Sequence, residues 1–155
     1  MLIGLIGTSA ATTRAVLFLT KHLKFEHFQF LDHVRNLCEL IYNVSFHENK
    51  DIPFSHVNIT PNEVVLEFDR FLRQVEPHVF QQNLNIKGQQ KIVVSDVFYL
   101  EDVQRVKELG GIIIRLREKN EPFAIAPSLC SDYVIEFTTN LEIRILEIVQ
   151  QKFFC

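Results

Sequence analysis

Leu2 to Ile6 contains no polar residue, the pattern of a strand covered on both faces and so placed inside a sheet. Thr12 or Thr13 can then cap a helix whose apolar positions Ala15, Val16, Leu19 and Leu23 keep helical spacing to about Lys24. "FEHFQFLD" alternates Phe28 and Phe30 against His27 and Gln29 and predicts a second strand ending at Asp32. "HVRNLCELIYNV" places Val34, Leu37, Cys38, Ile41 and Tyr42 on one helical stripe. Residues 45–59 show no period and carry Pro53, so they form a connection. Thr60-Pro61-Asn62-Glu63 combines a cap residue, a proline at the first helical position and a carboxylate three residues after the cap. It predicts a helix over 61–75, with another from Pro77.

"KIVVSD" is the next buried strand, and it ends on an aspartate. "LEDVQRVKELGG" is an amphipathic helix, with Val103, Val106 and Leu109 on one side and Gly110-Gly111 as its stop. "IIIRLR" is another buried strand, "EKNEPFAIAPSLCS" a loop, "DYVIEF" a last short strand, and "NLEIRILEIVQQKF" a helix with Leu141, Ile145, Ile148 and Val149 inward. Strands alternating with helices along the whole chain predict an α/β fold: a three-layer parallel sheet flanked by helices, in a single domain over 1–155.

The 155 residues, 47% hydrophobic and 23% charged, suffice for a packed core and exclude general disorder. A net charge of -3 with both signs interspersed gives no basic stripe, which argues against a nucleic-acid partner. Fourteen phenylalanines spread over every segment read as core filling rather than a base-stacking platform. Cys38, Cys130 and Cys155 have no CxxC spacing, and the six histidines have no ligand spacing. The expectation is therefore reduced thiols, no metal site, no membrane partner and a cytoplasmic location.

The chemistry-bearing candidate is the junction after the first strand. A phosphate loop of the G-x-x-x-x-G-K-[ST] type converges backbone N–H groups on an anion, bridges the outer phosphates with its lysine and holds magnesium with its hydroxyl. Counting from Gly7, the chain reads Gly7-Thr8-Ser9-Ala10-Ala11-Thr12-Thr13-Arg14. The length matches, but Thr12 replaces the second glycine, Thr13 the lysine and Arg14 the magnesium hydroxyl. Arg14 either swings into the loop to stand in for the lysine or stays solvated in the first turn. Asp32 and Asp96 end strands, where α/β sheets collect ligands, and each is a substrate or metal group or a helix cap. Arg70 and Arg73, one turn apart, are either phosphate-binding or paired with Glu67 or Asp69. Arg115 and Arg117 share one side of a strand end.

Four segments carry a family likeness. These are "FQFLDHVRNLCELIYNV" (28–44), "TPNEVVLEFDRFLRQVEPHVFQQNL" (60–84), "IVVSDVFYLEDVQRVKELGGIIIRLRE" (92–118) and "DYVIEFTTNLEIRILEIV" (132–149). In their order and over nearly the whole chain they resemble the small deoxynucleoside monophosphate kinases of phages and bacteria, P-loop kinases related to dephospho-coenzyme A kinase. The resemblance implies a P-loop NTPase, nucleoside monophosphate kinase-like fold. It places Asp32 at the family's acidic position and Arg73, Pro77 and Phe80 at its arginine, proline and tryptophan. Departures fall on the working residues: Phe98 replaces the arginine of "DVR", Asn62 that of "TPRE", Phe137 the asparagine before the last helix, and the lid (about 119–131) is reduced and uncharged in its middle.

The joint loss implies a catalytically degenerate kinase, in a virus or phage and so in host cytoplasm or virion. Such a protein has no catalytic residue and no cofactor, and acts as a protein-binding or structural module. Its surface for a protein partner or for self-association is then Pro122 to Cys130 with Phe153 and Phe154. The alternatives are an active kinase using ATP and magnesium on residues 7–14 and a deoxynucleotide on Asp32, Arg70, Arg73 and Asp96, or a nucleotide sensor without turnover.

Overall fold

The computed structural model describes residues 1–48, 50–54, 57–86, 88, 90–118 and 130–154. They form two compact units, one of Met1–Phe28 with Leu84–Cys155, the other of Gln29–Asn83.

The first unit holds a five-stranded sheet of β1 (Leu2–Gly7), β2 (Glu26–Phe28), β3 (Ile92–Val94), β4 (Ile112–Arg117) and β5 (Tyr133–Glu136), in the order β2-β3-β1-β4-β5. Every pairing is parallel, with Gly4 opposite both Val94 and Ile113. Helices cover both faces, because the strands are apolar on both. Ile3 and Leu5 pack with Ala11, Ala15 and Leu19 of α1 (Ser9–Leu23) and with Leu141, Ile145 and Val149 of α5 (Leu141–Phe153). On the other face the unit's remaining helix, Leu100–Glu108, brings Val106 Cγ2 to 3.4 Å from where a side chain on Gly4 would begin. Two residues past its end comes Gly110, whose φ of +75° is the left-handed stop that glycine takes without strain. The α/β reading with a parallel sheet between two helix layers is what the chain adopts.

The second unit contains α2 (Leu31–Tyr42) and α3 (Pro61–Val75), which pack on each other. We number the Leu100–Glu108 helix α4. Helix α3 has the boundaries its sequence announces: Thr60 Oγ1 accepts from the Glu63 N–H at 3.2 Å, and Glu63 accepts from the Thr60 N–H at 2.7 Å.

Three expectations are corrected. The strand expected to reach Asp32 stops at Phe28, and Asp32 lies in the first turn of α2. Phe30 is fully buried at the head of a Phe30, Val34, Cys38 stripe, so its apolar side chain belongs to a helical period and not to a strand alternation. The single stripe expected on α2 divides: Val34 and Cys38 are buried, whereas Leu37, Ile41 and Tyr42 are exposed. No helix starts at Pro77; turns lead to one 3₁₀ turn, Gln81–Asn83.

Candidate functional site

Helix α1 follows β1 and lies on one face, while α4 follows β3 and lies on the other. β1 and β3 are neighbours, so their carboxyl ends are the switch point at which sheets of this kind receive ligands. Gly7 and Thr8 stand at the end of β1, and Ser95 and the buried Asp96 follow β3. His27 Nε2 lies 2.7 Å from the Ser95 hydroxyl at the same end of the sheet.

The backbone after β1 is not the loop that the spacing suggests. The helix cap expected at Thr12 or Thr13 is at Thr8, and α1 already begins at Ser9, so Ser9, Ala10, Ala11, Thr12, Thr13 and Arg14 are helical. The Thr12 N–H donates to the Thr8 carbonyl at 2.9 Å and its hydroxyl to the same oxygen at 3.0 Å. The reason is local: Ala10 and Ala11 are the best helix formers, and no glycine interrupts them. Gly7 serves packing here. A Cβ at Gly7 would stand 2.8 Å from the Leu116 carbonyl oxygen on β4.

Two carboxylates that sequence spacing does not reveal complete this region. The Thr8 hydroxyl donates to Glu118 at 2.7 Å, which brings a negative charge beside the N-terminal end of α1. Arg14, expected either in the loop or in solvent, is in neither place. Its Nε and Nη2 donate to the two oxygens of Glu142 at 2.5 and 2.7 Å, and its Nη1 and Nη2 to the Thr138 and Thr139 carbonyls at 3.2 Å each. The guanidinium also lies over the Phe137 ring, 5.8 Å from its centre. The bond from Arg14 holds the Glu142 carboxyl below the usual carboxylate range. Arg14 and Glu142 are 128 positions apart, beyond the reach of any pattern.

The six remaining candidates are placed as follows. Arg73 Nε donates to Asp69 at 2.9 Å in a pair whose side chains are only 7% and 1% exposed, and the guanidinium lies 5.2 Å from the centre of the Phe80 ring. Arg70 meets Glu67 at 2.6 Å on the exposed side of α3. Asp32 accepts from Arg35 at 2.6 Å within α2. Asp96 is buried just past β3. Arg117 pairs with Glu136 at 2.8 Å, and Arg115 is buried.

Most of the lid region, residues 119–129, lies outside the described residues, and with it most of the Pro122–Cys130 partner surface. Of that surface, Cys130 is exposed; in the tail, Phe154 is exposed, whereas Phe153 packs against the core of the first unit. Among the described residues no helix is long and apolar enough to cross a membrane, and no three His, Cys, Asp or Glu side chains gather as metal ligands would.

Among solved structures, the chain is similar to dephospho-CoA kinase from Campylobacter jejuni, with a TM-score of 0.50 and 10% sequence identity over 97% of this chain and 96% of that one. No family model and no curated protein matches. At that identity the likeness concerns the fold, which is of the P-loop nucleotide kinase type.

Proposed function

We propose that this protein is a kinase-fold domain of deoxynucleoside monophosphate kinase descent that no longer transfers phosphate, and that it works by binding protein. The observation that carries the reading is the start of α1 at Ser9, one residue after β1. A phosphate loop keeps six residues out of the helix so that their N–H groups can surround the anion. Here the same stretch has closed into the helix, and its N–H groups from Thr12 onward bond to carbonyls four residues back.

The surroundings support the same reading. A triphosphate brought to the end of α1 meets the Glu118 carboxylate, whose charge repels it. Arg14, the cation of this stretch, is held by four hydrogen bonds to Glu142 and the chain before α5, so its use as a substitute lysine requires their rupture. No lysine lies between Gly7 and Arg14, and Thr12 is buried with its hydroxyl bonded to its own helix. Residues 7–14 therefore do not fit a magnesium nucleotide, and we derive no step through one. The deoxynucleotide descent rests on the four segments, and a viral or phage source rests on them alone.

Calorimetric titration with ATP and magnesium, followed by a coupled assay over the four deoxynucleoside monophosphates, tests the proposal. Neither binding heat nor turnover is expected. Metal-dependent binding with product formation would defeat it, and binding without product would favour a nucleotide sensor.

A further inference from the structure

We draw no further inference here: the strongest candidate, the open groove between the edge strand β5 and the side of α5 that carries Ile143, Arg144, Glu147 and Ile148, carries none because nothing in the structure shows what covers it.

Discussion

Removing one member of the buried Asp69 and Arg73 pair should unfold the chain far more readily than removing both. The two side chains are 1% and 7% exposed and meet at 2.9 Å, so neither charge is relieved by bulk water when the other is lost. Breaking a buried pair from one side costs about 3–5 kcal/mol. For a chain of this length each kcal/mol lowers the melting temperature by about 2–4 °C, so Asp69→Ala should melt roughly 6–20 °C below the parent. Replacing both with apolar groups of nearer volume, Asp69→Val with Arg73→Met, removes the stranded charge. Methionine also keeps a sulfur contact for the Phe80 ring, which the guanidinium overlies at 5.2 Å. The double variant should then fall within about 1 kcal/mol of the parent. The assay is thermal unfolding by circular dichroism at pH 7, with urea unfolding to obtain free energies and the coupling between the two sites. A single variant costing less than about 1 kcal/mol, or a double variant losing the sum of both singles, would refute the reasoning. Either result would return Arg73 to the list of groups available to an anion.

Other expectations follow from the same contacts. Gly7→Ala forces a Cβ to 2.8 Å from the Leu116 carbonyl oxygen, so it should cost about 1–3 kcal/mol in urea unfolding; a neutral result would show that β1 and β4 can part there. Thr60→Ala removes the oxygen that caps Glu63 N–H and should cost about 1 kcal/mol in the same measurement, a loss that Thr60→Ser restores. Glu142 is held down by Arg14, and Glu63 by the Thr60 N–H and hydroxyl. Glu39 is held down because N–H donation from Phe46 and His47 outweighs the upward push of burial. Carboxylates with lowered folded-state values add stability that is complete above the unfolded value of about 4.3 and is lost as pH falls through the folded ones. The melting temperature should therefore be flat from about pH 7 to 5 and decline below it. Glu142→Gln should lower the neutral plateau and make the acid decline shallower, and an unchanged acid limb would show that Glu142 is not among the groups responsible.

Sequence alone determined the elements whose residues answer to their own neighbours. β1, β4 and α3 could be read directly because an unbroken apolar run, or a threonine, proline and glutamate at fixed offsets, satisfies local geometry wherever the element ends up. The parallel α/β sheet followed from their alternation, and the partners of Arg70 and Arg73 from steps of three and four. Burial of one of those pairs and exposure of the other were not legible, because spacing fixes the side of a helix and not what covers it. Tertiary structure decided the rest. An apolar residue counts equally for a strand and a helix until packing chooses, which is why Phe30 joined α2. The stretch from Gly7 to Arg14 has the length of an anion loop, but from Ser9 it has the propensity of a helix, and carboxylates from distant segments, Glu118 and Glu142, hold its Thr8 and Arg14 side chains. Hydrogen-bond partners 110 and 128 positions apart, Thr8 with Glu118 and Arg14 with Glu142, leave no trace in a one-dimensional pattern, since only folding brings them together.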